Sequence, residues 1–245
     1  MFTLDQVVPW GRSFDEYRRM FALTPADLLQ PILGVGDGPA SFNAEATALG
    51  HAVTSADPIY AFSAAEIRSR IEACYDTVIE QARAQSHRFV WTDFPNPESL
   101  GVARLAAMNR FLADYDRGRT EGRYVPAALP HLPFAAGKFH LCLCSHLLFL
   151  YSDHLDEAFH VASILDMLRV AGEVRVFPLL ELDGTPSRHV GPVTTALRRH
   201  GFDPRTVKVK YEFQRGGDQM LVVGADALGA HPSRAKGSDP THAGT

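Results

Sequence analysis

Long hydrophobic runs are missing from this 245-residue chain. No apolar stretch approaches the roughly 20 residues that a membrane-spanning helix requires. The opening Met1-Phe2-Thr3-Leu4-Asp5 lacks the basic start and apolar core of an export signal, so a soluble, cytoplasmic protein is expected. Cysteine is scarce. Cys74, Cys142 and Cys144 are the three present, and their spacing suits neither a disulfide framework nor a zinc ribbon, which fits a reducing compartment. Excess positive charge is lacking too: the formal net charge is -4, with lysine and arginine scattered, so no footprint for a phosphate backbone exists and nucleic acid is not expected as a partner. The histidines at 131, 140, 146, 154 and 160 lack the i, i+4 spacing of a helical ligand pair, and no metal site is expected.

What is present suffices for a sizeable core. With 46% hydrophobic and 21% charged residues, the chain reads as one large domain over residues 1–228, led by helical residues 1–30. Beyond about Gly229 the composition turns to Pro, Ser, Gly, Lys and Thr, which predicts a tail, 229–245, without packed structure. Two helix-start signatures stand early: Ser13 with Glu16, and Thr24-Pro25 with Asp27. Strand and helix then alternate. Pro31 to Val35 reads as a strand, Ala40 to Leu49 as a helix and Ala52 to Ala56 as a second strand. The capping box Ser63-Glu66 and the start Asn96-Pro97 open two helices that fill residues 63 to 118 as an insertion between strands two and three. In this insertion Trp91, Phe94, Met108 and Tyr115 supply either a cover over a ligand site or simple core, the latter favoured for Met108 and Tyr115.

Arg123 to Val125 reads as a brief strand and Phe139 to Ser145 as a central buried one, followed by a helix capped by Asp153. A strand from Glu173 to Leu180, a helix from Gly191 to His200, a strand from Val207 to Phe213, a turn at Arg215 to Asp218 and a last strand from Gln219 to Val223 complete the pattern. This order predicts an α/β architecture: a Rossmann-like, seven-stranded, mostly parallel sheet with a terminal antiparallel strand and helices on both faces.

Leu33-Gly34-Val35-Gly36-Asp37-Gly38-Pro39-Ala40-Ser41-Phe42 joins the first strand to its helix, and Asp57 ends the next strand. Glycines let backbone approach a ligand, and an acid at the neighbouring strand tip can accept both hydroxyls of a ribose. A nicotinamide site would want a third glycine where Ser41 stands, and its sheet would normally stay parallel.

From about Pro31 to Val223 the sequence resembles the class I S-adenosylmethionine-dependent methyltransferase family, in its small-molecule branch. Gly36 to Phe42 matches the first motif, Asp57-Pro58 the second, and Leu132-Pro133-Phe134 with Phe139 to Ser145 the fourth strand and its approach. The resemblance implies S-adenosylmethionine as cofactor, held by Gly36, Asp37, Gly38, Pro39, Ala40, Asp57, Pro58, Ala128, Leu129 and Ser145, and a small-molecule methyl acceptor. Departures are specific. Gly34 replaces the usual motif acid, Ala128 the frequent adenine-binding acid, Ala40 the third glycine and His140 a frequent Asp. Asp37 stands three residues beyond Gly34 and either supplies the missing charge or caps the following helix. The Asn/Asp-Pro-Pro-Tyr sequence of DNA amino-methylating enzymes does not follow strand four. Position alone makes His146 the candidate base. A degenerate member that binds the cofactor without transferring methyl is the alternative.

Overall fold

The computed structural model describes residues 8–225; the expected tail at 229–245 and the first residues of the helical lead lie outside that range. The element order is α1 (Phe14–Met20), α2 (Pro25–Leu28), β1 (Ile32–Val35), α3 (Phe42–Ala48), β2 (Val53–Ala56), α4 (Ala64–Ala84), α5 (Pro97–Thr120), β3 (Tyr124–Val125), β4 (Phe139–Ser145), α6 (Glu157–Val170), β5 (Ala171–Phe177), α7 (Val190–Arg199), β6 (Phe202–Lys208) and β7 (Gln219–Ala225). The capping boxes at Ser13, Thr24 and Ser63 are all formed, each hydroxyl accepting from the backbone three residues on while the acid bonds back.

One sheet holds all seven strands in the order β3-β2-β1-β4-β5-β7-β6. The first five pair in parallel, and β7 runs antiparallel to both β5 and β6. This is the Rossmann-like architecture with a reversed closing strand. Period-two alternation places successive residues of β4 on opposite faces. Cys142 and Cys144 join a core with Ile164 and Met167 of α6 and Val193 of α7, whereas Leu141 and Leu143 join Tyr17 of α1 and Phe42 of α3. Helices therefore cover both faces. A third cluster, with Tyr60, Ile67, Phe111 and Tyr115, seats α4 and α5 beside β3.

Two boundaries depart from expectation. Asp153 does not cap α6; Asp156 does, accepting from Phe159 N–H at 2.8 Å, and exposed Asp153 pairs with Arg188 instead. The sixth strand lies at 202–208 rather than 207–213. It is an edge strand with Pro204 inside it and mostly exposed side chains, so it carries neither the apolar run nor the absence of proline that mark an inner strand. On α5, Val102 is 68% exposed, because the buried face is set by Leu100, Arg104, Met108, Phe111 and Tyr115.

Candidate functional site

Parallel pairing brings the carboxyl ends of β1, β2, β4 and β5 to one edge of the sheet, and their last residues, Val35, Ala56, Ser145 and Phe177, all line one cavity of about 930 Å³. Order reverses between β1 and β4, where open α/β sheets leave a crevice. The helices α4 and α5 and the connection from β6 to β7 close the other sides through Cys74, Val78, Leu100, Tyr211 and Phe213.

The turn after β1 holds Gly36 at φ 69° and Gly38 at φ 52°, left-handed conformations that favour glycine. A Cβ at Gly36 would come within 2.8 Å of Leu147 Cδ2, whereas one at Gly38 would meet nothing within 4 Å. Two contacts fix the turn. Gly38 N–H donates to Asp57 Oδ2 at 2.9 Å, and Tyr60 OH donates to the Gly38 carbonyl at 2.8 Å. The other Asp57 oxygen accepts from Ile59 N–H at 2.8 Å, so the carboxylate faces the glycine turn with lone-pair capacity remaining on each oxygen. Burial raises the Asp57 pKa despite those two backbone donors.

Gly34 has a physical partner in Asp37. A Cβ built on Gly34 would overlap Asp37 Oδ2, so the carboxylate of residue 37 folds back into the space that a side chain at 34 would take. It is 6% exposed and accepts from Tyr17 OH at 2.8 Å and Ser55 Oγ at 2.6 Å. It does not cap α3, whose first residue follows Ser41 with no side-chain cap bond. Burial pushes its pKa up to about 7, the Ser55 and Tyr17 hydrogen bonds working against that rise and Asp57 adding to it.

At the tip of β4 the backbone turns sharply, with His146 at φ 55° and Phe149 at φ 68°, both unusual for residues bearing a Cβ. His146 N–H donates to the Phe177 carbonyl at 2.7 Å, and its Nδ1 lies 2.9 Å from Ser145 Oγ. Burial first, and then the Arg12 and Arg104 charges, hold its pKa well below the ordinary histidine value, so the ring is neutral at pH 7. The Phe149 N–H donates to His160 Nε2 at 2.9 Å, and His160 Nδ1 lies 2.6 Å from the Asp156 carbonyl, which puts the His160 proton on Nδ1.

Of the residues singled out from sequence, Gly36, Asp37, Gly38, Asp57, Pro58, Ala128, Leu129, Ser145 and His146 line the cavity. Pro39 and Ala40 do not: both are buried, facing Gly11, where an added Cβ would overlap the Pro39 carbonyl oxygen. Trp91 and Phe94 are off its wall as well, Trp91 standing edge-on to Phe213 instead. Met108 and Tyr115 are core. Several wall residues were not singled out by sequence reasoning: Arg12, Tyr17, Arg104 and Tyr211 come from distant segments that carry no local motif joining them. Among the described residues, no group of three or more histidine, cysteine or acidic side chains could hold a metal ion, and no helix is long and apolar enough to cross a membrane.

No protein-family model matches the chain. Over 221 residues it is 32% identical to the uncharacterized protein MJ0045 of Methanocaldococcus jannaschii, covering 90% of this chain and 97% of that one. Solved structures resemble it more distantly. The pyocyanin biosynthetic protein PhzM is 18% identical with a TM-score of 0.44, over 87% of this chain and 54% of that one. Magnesium protoporphyrin IX methyltransferase from Synechocystis PCC 6803, solved with bound SAM, is 13% identical with a TM-score of 0.40, over 80% and 70%. A SAM dependent methyltransferase from Aquifex aeolicus is 13% identical with a TM-score of 0.37, over 79% and 80%. Likenesses at these scores add nothing to the strand order described above.

Proposed function

The chain belongs to the family of Methanocaldococcus jannaschii MJ0045, and from the cavity it builds at the sheet edge we propose that it is an S-adenosylmethionine-dependent methyltransferase of a small-molecule acceptor. The observation that carries the reading is the bond from Gly38 N–H to Asp57 at 2.9 Å, which joins a left-handed glycine turn to an acid with free lone pairs inside one cavity. That pairing suits an adenosyl group: Asp57 accepts from the ribose hydroxyls, Gly36 and Gly38 leave room for backbone approach, and Pro58, Ala128 and Leu129 flank the base. Asp37, beneath the turn, meets the positive amino-acid end. Because its carboxylate fills the Gly34 slot, the absent acid at 34 does not speak for a degenerate site.

When bound, the cofactor supplies an electrophilic methyl carried on a positively charged sulfur. The chain then has to align, exclude water and handle one proton. Ser145 and His146 at the β4 tip lie where an acceptor would face that methyl, and His146, neutral at pH 7, takes the proton the acceptor loses. Free Cys74, Cys142 and Cys144 support a reducing, cytoplasmic setting, and the scattered positive charge supports a small molecule rather than nucleic acid as the acceptor.

Titration calorimetry with S-adenosylhomocysteine tests the cofactor half. Asp57→Ala is expected to weaken binding about 10- to 100-fold, the equivalent of a charge-assisted hydrogen-bond pair. Transfer of labelled methyl from S-adenosylmethionine to a compound in a metabolite extract tests the enzyme half. Binding without transfer to any acceptor would instead favour the degenerate reading.

A further inference from the structure

The wall of the cavity built by α1, α5 and the β6–β7 connection is unlike the acidic wall at Asp37 and Asp57. Arg104 is 1% exposed and gives Nη1 to Glu16 at 2.6 Å, yet its Nε and Nη2 have no hydrogen-bond partner among the described residues. Arg12 gives one bond, to the Trp10 carbonyl at 3.3 Å, and its Nε is also unpartnered. Arg12 and Arg104 both line the cavity. The counter-charge is short. Glu16 is held ionised near pKa 2, chiefly by Arg104 against the cost of burial, and its second oxygen accepts from Tyr211 OH at 2.9 Å. Tyr17, Tyr211 and His146 stay neutral at pH 7, so two cations, buried Arg104 and half-buried Arg12, face the one Glu16 carboxylate with guanidinium nitrogens left unpaired.

Guanidinium nitrogens left unpaired beside a single carboxylate match a carboxylate or phosphate from a ligand. The surfaces beside it are apolar and largely aromatic: Phe89, Leu100, Phe177 and Phe213 line the same cavity. At about 930 Å³ the cavity stands near the top of the range of ligand pockets, roughly 300–1,000 Å³, which leaves room for an acceptor beside an adenosyl group. We propose that the methyl acceptor is an anion with an apolar body, its carboxylate or phosphate seated between Arg12 and Arg104 and its body against Phe177 and Phe213. The proposal rests on the methyltransferase reading for the word acceptor; the anion site itself does not. Seating an anion there offsets the arginine share of what lowers the His146 pKa, while burial, the larger cause, remains.

Two titrations on the full chain test it. In the first, 4-hydroxybenzoate and its neutral isostere 4-hydroxybenzamide are titrated into the protein saturated with S-adenosylhomocysteine. The acid should bind at least tenfold more tightly, Arg12→Met should erase that preference and Arg12→Lys should keep part of it. Equal affinities, binding of neither, or a preference that survives Arg12→Met overturns the proposal. Arg12→Met is chosen because Arg104→Met would strand Glu16; circular dichroism of the variant confirms folding, and an Arg12→Met protein that fails to fold passes the decision to Arg12→Lys, whose preference must then fall below that of wild type, an unchanged preference overturning the proposal.

In the second, S-adenosylhomocysteine is compared with methylthioadenosine, which lacks the amino-acid end. Their affinity ratio should be the same in wild type and Arg12→Met. A ratio that falls in the variant gives the site to the cofactor's own carboxylate and overturns the acceptor assignment. Failure of the function reading looks different: S-adenosylhomocysteine would not bind, while apo protein would still prefer the acid to the amide.

Discussion

Asp37 is where charge and packing meet at the scale of one residue, its carboxylate held by Tyr17 and Ser55 in the space beside Gly34. Its raised pKa, about 7, means that the fold prefers the protonated acid. The sign follows: an acid whose folded pKa lies above its unfolded value near 4 adds no penalty below about pH 4, and a growing penalty up to pH 7 that stays constant above it, at most about 4 kcal/mol. Asp37→Asn keeps an oxygen for Tyr17 and a group for Ser55, so it should raise the unfolding midpoint at pH 8 and change it little at pH 4, as thermal melts at the two values would record. The same change should weaken S-adenosylhomocysteine. A positive amino group favours the ionised acid, so wild-type affinity should fall several-fold between pH 8 and pH 6 with proton release, whereas neutral methylthioadenosine should show no such slope. A flat S-adenosylhomocysteine profile in calorimetry removes Asp37 from the site. The sequence shows both Gly34 and Asp37, but that one vacates the space the other fills depends on a fold-back of three residues that spacing alone cannot reveal.

At the scale of elements, loops rather than helices decide the site. The segment after β4 takes two left-handed residues, and at Phe149 side chains bond both backbone groups: the N–H donates to His160 at 2.9 Å and the carbonyl accepts from Ser152 Oγ at 2.6 Å. His160→Phe leaves that buried N–H unpaired and should cost about 1–3 kcal/mol in urea unfolding at pH 8. Burial lowers the His160 pKa, so its contribution is complete above the unfolded value near 6.5 and is lost as pH falls below it; the gap between wild type and variant should narrow at pH 5.5. Gly11 fixes the entering strand of chain in a similar way, because any Cβ would strike the Pro39 backbone. Gly11→Ala should therefore destabilise the protein and disturb the glycine turn from outside the cavity, lowering both the melting midpoint and S-adenosylhomocysteine affinity. The helix starts were legible because capping boxes are local chemistry, seen at Ser13, Thr24 and Ser63. The edge strand β6 was not, since an exposed strand containing Pro204 lacks the apolar signal of the buried β4.

Across the whole molecule the order of strands makes the cavity. β1, β2, β4 and β5 deliver a glycine turn, Asp57, Ser145 and Phe177 to one edge, and the two long helices between β2 and β3 complete the enclosure. This much could be read from alternation of strand and helix and from the reversed last strand. The arginine wall could not, because Arg12 and Arg104 are 92 positions apart and come to one cavity only where the Glu16–Arg104 pair ties α1 to α5. The cavity is thus acidic toward the β1 and β2 tips and basic toward α5, an arrangement suited to a cationic cofactor and an anionic acceptor. A crystal structure of the protein with S-adenosylhomocysteine measures the central claim directly: both ribose hydroxyls should lie about 2.5–3.0 Å from the Asp57 carboxylate oxygens, with the glycine turn against the adenosyl group. Ligand density elsewhere, or a ribose turned away from Asp57, would contradict it.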